Sequence, residues 1–148
     1  NVTNVKFDKL DEREGKLNID FDFSFGNMVN SFNNELYIDL DPFKDFKNLS
    51  IKDDRQCSLD FGEKIDKKVN VDLEIPAGYT LGELPQNLTI KEQDFSFKIS
   101  YSQNGNKVNY QKEITIDNGV VKKENFKQWN DAIKKINKAY ENQITLKK

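Results

Sequence analysis

Apolar residues recur with a period of two along the first three-quarters of this chain. Leu17, Ile19, Phe21, Phe23 and Phe25 alternate with Asn18, Asp20, Asp22 and Ser24, the pattern of a strand with one face in a core and one in water. Leu36, Ile38 and Leu40 repeat it until Asp41-Pro42, where proline cannot donate to a ladder. Val69, Val71, Leu73 and Ile75 run into Pro76-Ala77-Gly78, where proline presets a φ and glycine tolerates a positive one, so a reversal at Pro76 and Gly78 is predicted. Phe95, Phe97, Ile99 and Tyr101 lead to Asn104-Gly105, a strong hairpin signal, after which Val108 and Tyr110 return. Asn118-Gly119 ends the strand that carries Ile114 and Ile116. The alternation places the odd-numbered apolar residues of 17–25, 69–75 and 95–101 in one core. Cys57 heads another alternating run, Cys57-Ser-Leu-Asp-Phe61, and reads as a small buried apolar residue.

The period then changes. Phe126, Trp129, Ile133, Ile136 and Tyr140 are spaced to form one stripe of an α-helix over about 124–140, and the stripe is expected to dock inside the domain. Its other face carries Lys, Gln, Asp and Asn. Ile144 and Leu146 read as a short closing strand, and the Lys/Asp-rich stretch from Phe43 to Asp54 as the least ordered part. Parallel strands would need crossover helices, and the pattern offers none before residue 120. The expected fold is therefore mainly β: an antiparallel β-sandwich, immunoglobulin-like or a related Greek key, with one C-terminal helix. A chain of 148 residues suits a single domain over 1–148.

Composition narrows the chemistry. With 23 basic against 25 acidic residues the net charge is -2, so no overall field recommends nucleic acid or an anionic membrane as partner. No apolar run approaches the roughly 20 residues of a membrane span. The chain lacks histidine and has one cysteine, so Cys57 has no imidazole base, and no catalytic residue or cofactor is expected. Carboxylates remain as acid/base groups, but nothing singles out the close pair that a hydrolase would need. Asp39, Asp41, Asp45, Asp53 and Asp54 crowd one region and could hold calcium, although an EF-hand's spacing and glycine are missing. The chain begins with Asn1 instead of Met, which suggests a fragment cut from a larger protein.

Certain segments carry a family resemblance. Val69-Asn-Val-Asp-Leu-Glu-Ile-Pro-Ala-Gly-Tyr79, Leu84-Pro85, Phe95-Ser-Phe97, the helix opening Glu124-Asn125-Phe126 and Ile144-Thr-Leu-Lys-Lys148 resemble the C-terminal domain of unknown function in bacterial transglutaminase-like proteins. The resemblance spans about residues 36–148 and includes Leu36-Tyr-Ile-Asp-Leu-Asp-Pro42. It implies a non-catalytic accessory domain that follows a papain-related core in the same polypeptide, packs against it or presents its protein substrate, and is exported to the periplasm or cell surface. The family's catalytic Cys, His and Asp belong to that core, and Cys57 matches none of their motifs. A stand-alone glycan- or protein-binding module is the alternative. An accessory domain should expose apolar surface near its N-terminal end, whereas a glycan binder should show aromatics in a groove.

Overall fold

A computed structural model describes residues 2–8, 18–24 and 27–148. The strands are β1 Val2–Asp8, β2 Asn18–Phe23, β3 Val29–Phe32, β4 Glu35–Ile38, β5 Leu59–Asp60, β6 Ile65–Glu74, β7 Thr80–Leu81, β8 Leu88–Lys91, β9 Phe95–Asn104, β10 Lys107–Ile116, β11 Val120–Val121 and β12 Ile144–Lys147. One helix, α1, runs from Phe126 to Ala139 after a single 3-10 turn at Lys123–Asn125. Every strand pairing among the described residues is antiparallel.

Two four-stranded sheets, ordered β6-β10-β9-β8 and β3-β4-β12-β7, contribute to one hydrophobic core. In the first sheet β8, β9 and β10 follow one another as hairpins while β6 lies beyond β10, which is a Greek-key order. The connection from β6 to β8 passes through β7, a strand of the other sheet. Phe95, Phe97 and Ile99 of β9 meet Val108, Ile114 and Ile116 of β10, together with Ile38, Ile144 and Leu146 from the second sheet. Val69, Val71 and Leu73 are only half-buried because β6 is an edge strand.

The helix closes this core. Trp129, Ile133, Ile136 and Tyr140 are buried and Phe126 is half-buried, all on the stripe expected from their spacing. The rings of Phe46, Phe61, Phe95 and Phe97 lie 5.1–5.9 Å from that of Trp129, whose Nε1 donates to the Leu49 carbonyl at 2.7 Å. The polar face is not wholly left to water. Asn130 accepts from the Ile51 amide at 2.7 Å and donates to the Ile51 carbonyl at 2.8 Å, while Asn137 accepts from the Asn48 amide at 3.1 Å. Residues 43–54, expected to be the least ordered, are thus held by the helix. Three of them, Lys44, Phe46 and Asn48, adopt positive φ to follow it.

Both turn signals mark real reversals. Asn104 pairs with Lys107, so the central residues of the hairpin are Gly105 and Asn106. Gly105 at φ 59° supplies the positive φ that a II′ turn requires first. At the other reversal the Tyr79 amide donates to the Pro76 carbonyl at 3.1 Å, which makes Pro76 the first residue of the turn and Gly78, at φ 85°, its third. Gly119 is more tightly constrained: a Cβ there would lie 2.2 Å from the Glu63 carbonyl oxygen.

Two further expectations fail. Ile19, Phe21 and Phe23 are exposed at 46, 44 and 47%, because β2 pairs only with β1 in a separate two-stranded sheet that enters neither large sheet. Leu17 and Phe25 lie outside the described residues. Cys57 is exposed. Its run forms no strand before Leu59, and Arg55 folds back to donate to the carbonyls of Cys57 and Ser58, turning the segment outward.

Candidate functional site

Strand parity builds the first notable feature. Positions 108, 110, 112, 114 and 116 of β10 all face inward, and the third of them is a lysine. Lys112 is 1% exposed, and its Nζ lies 2.9 and 2.7 Å from the two carboxylate oxygens of Asp41. Asp41 follows β4 and closes a local turn: Oδ1 accepts the Phe43 and Lys44 amides at 3.1 and 3.2 Å, and Oδ2 accepts the Tyr110 hydroxyl at 2.8 Å. Lys112 Nζ also lies 2.7 Å from Asp45 Oδ2, an ion contact without hydrogen-bond alignment, and 5.3 Å from the centre of the Tyr140 ring. Lys67 pairs with the other oxygen of Asp45, and Lys44 with Asp39.

The crowding of Asp39, Asp41 and Asp45 in sequence therefore corresponds to an assembly around lysine ammonium groups. Asp53 and Asp54 stand apart in an exposed loop. Among the described residues no cluster of three or more His, Cys, Asp or Glu has the arrangement of a metal site. Burial pushes Asp45 upward, but the ammonium groups of Lys112 and Lys67 outweigh it and hold the carboxyl below its ordinary value. Burial raises Tyr101, with the charges of Asp41 and Asp39 adding to it, up to about 12. Tyr110 and Tyr140 are raised for the same first reason, and then by the Asp41 charge.

The second feature is the β1–β2 hairpin. Val2 faces Phe23 and Phe7 faces Ile19, while Thr3 faces Asp22 and Lys6 faces Asp20. Val2 and Phe7 have opposite parity, so a regular strand would put them on opposite faces. A bulge between Thr3 and Lys6, with Asn4 at φ 54°, absorbs one residue and restores both to the apolar face. Asn4 Nδ2 secures the bulge by donating to Asp22 at 2.6 Å. Phe7 is 57% exposed, and Val29 and Phe32 of β3 are exposed nearby in sequence. A mainly apolar slot of about 250 Å³ is lined by Phe23, Met28, Ile38, Asp39, Leu40, Pro42 and Val71.

Sequence reasoning found the helix stripe but missed the ion cluster, whose signal was a charged residue at an inward position of an alternating run. Pro76 and Gly78 form the reversal described above and touch neither feature.

The model of a family described as a domain of unknown function with a solved structure, DUF3858, matches residues 34–146. The chain belongs to this family. DUF3858 thus covers β4 through nearly all of β12, including the whole ion cluster, and leaves β1, β2 and β3 outside. No curated protein and no solved structure matches the chain.

Proposed function

We propose that this chain is a non-catalytic accessory domain that packs, through the apolar face of its β1–β2 hairpin, against a transglutaminase-like core preceding it in the same polypeptide. The observation that carries the reading is the placement of apolar surface. Among the described residues, every exposed large apolar side chain except Phe43 and Leu49 falls within residues 2–32, outside the DUF3858 match. Two strands alone are marginal in water, and an apolar face on such a hairpin calls for a covering layer. The identity of that layer comes from the family resemblance of the sequence. The proposal also places the parent protein in the periplasm or at the cell surface.

Catalysis is assigned to the core. This chain has no histidine, and Cys57 lies on an exposed loop without an imidazole base. The test is a pull-down of the separately expressed preceding segment by this chain, as wild type and as the Phe7→Ser/Phe21→Ser double variant. Capture by wild type and loss with the variant support the proposal, and capture that the variant leaves intact overturns the docking face. Amine incorporation into a glutamine-bearing protein should be absent with this chain alone. Turnover that disappears in Cys57→Ser would refute the non-catalytic assignment.

A further inference from the structure

The Lys112 cluster holds more reactive groups than a salt bridge needs. A buried amine contacts both oxygens of one carboxylate and, at 2.7 Å, an oxygen of a second. That oxygen, Asp45 Oδ2, is the one buried side-chain polar atom among the described residues that accepts no hydrogen bond. Asp41, by contrast, is surrounded by donors: two backbone amides on Oδ1 and the Tyr110 hydroxyl on Oδ2. Donors so placed would stabilise negative charge developing on the oxygens of a tetrahedral intermediate at Asp41 Cγ. Reactants fixed in contact need no encounter.

We propose that Lys112 and Asp41 condense to an internal amide, with Asp45 as the proton carrier. The Lys112 ammonium passes a proton along its hydrogen bond to Asp41 Oδ2, which leaves a neutral amine against a neutral carboxylic acid. The freed amine pair adds to Asp41 Cγ to form the C–N bond, while the Phe43 and Lys44 amides and the Tyr110 hydroxyl hold the oxygens. One Asp41 C–O bond then breaks. Its oxygen leaves as water, carrying the proton received at the start and a second that Asp45 takes from the nitrogen and hands on, so Asp45 ends as it began. Ammonium plus carboxylate gives amide plus water, with no oxidant or cofactor. The product would join β10 of one large sheet to the segment following β4 of the other, a covalent tie in a chain that cannot form an internal disulfide.

Intact-mass measurement of the natively purified chain after denaturation tests this directly. The expected mass is that of the sequence less one water, with a tryptic species in which tandem fragmentation joins the Lys112 and Asp41 peptides. Lys112→Arg, whose guanidinium stays protonated, should show the full sequence mass. A wild-type chain at full sequence mass overturns the proposal, as does a water loss that persists in Lys112→Arg or a link mapped to Asp45. The wild-type mass and peptide map decide the question even if the variant fails to fold.

Discussion

Asp41 makes a single side chain answerable for much of the interior. It is 4% exposed and meets Lys112, Tyr110 and two backbone amides, so Asp41→Ala leaves the buried Lys112 with Asp45 alone and takes the acceptor from the other donors. Removing one partner of a buried pair costs roughly 3–5 kcal/mol, and a denaturant midpoint should fall accordingly. The tyrosines around it give a pH signature. A phenol raised from 10.0 to about 12 in the fold, as Tyr101 is, contributes stability that is complete below pH 10 and lost as pH rises through about 12. Absorbance titration should therefore show tyrosinate from Tyr101, Tyr110 and Tyr140 appearing with unfolding, and a native chain ionising all its tyrosines near pH 10 would contradict this. The sequence contained the evidence for this cluster. Val108, Tyr110, Ile114 and Ile116 were recognisable as alternating apolar positions, and Lys112 falls midway among them. What the alternation could not supply was the partner 71 residues away, since pairing at that range depends on how two sheets stack.

At the scale of elements, the helix was the most legible part, because a stripe at three-and-four spacing reports a face directly. Trp129→Ala should cost about 3–5 kcal/mol, whereas Lys134→Ala, whose side chain is 77% exposed, should hardly move the thermal midpoint. Equal small effects would refute the docking. Gly119→Ala should also destabilise markedly: a Cβ would meet the Glu63 carbonyl, and φ 66° disfavours any side chain. Calorimetry would register the difference against a substitution at Gly62, where a Cβ meets nothing within 4 Å although φ is 82°. Turn chemistry identified the reversals but not their phase. Asn104-Gly105 and Pro76-Ala77-Gly78 each bend the chain, and it is the hydrogen-bond register that makes Asn104 and Pro76 the first residues of their turns. Alternation at 17–25 implied a buried face, and over the described residues 19–23 it did reflect an apolar one. Burial requires a neighbouring layer, and a strand's own pattern cannot say whether that layer lies in the same chain. The alternation at Cys57 had still less behind it, since Arg55's bonds to nearby carbonyls decide that loop.

For the molecule as a whole, the exposed hairpin face should govern behaviour in solution. The isolated chain is expected to self-associate as concentration rises, and Phe7→Ser/Phe21→Ser should keep it monomeric in sedimentation experiments. An equally monomeric wild type would show that the face needs no cover. The helix has a different consequence, for which residues can change over time. It is occupied on two sides, by the aromatic core through Trp129 and by the 43–54 loop through Asn130 and Asn137. Only a strip through Lys127, Gln128, Asp131, Lys134, Lys135 and Lys138 is free to drift in sequence. Position 130 is closed to its nearest chemical relatives: aspartate could accept from the Ile51 amide but could not donate to the Ile51 carbonyl, and glutamine would reach too far. An asparagine on the polar face of the helix is thereby limited to a single amino acid by the loop it holds.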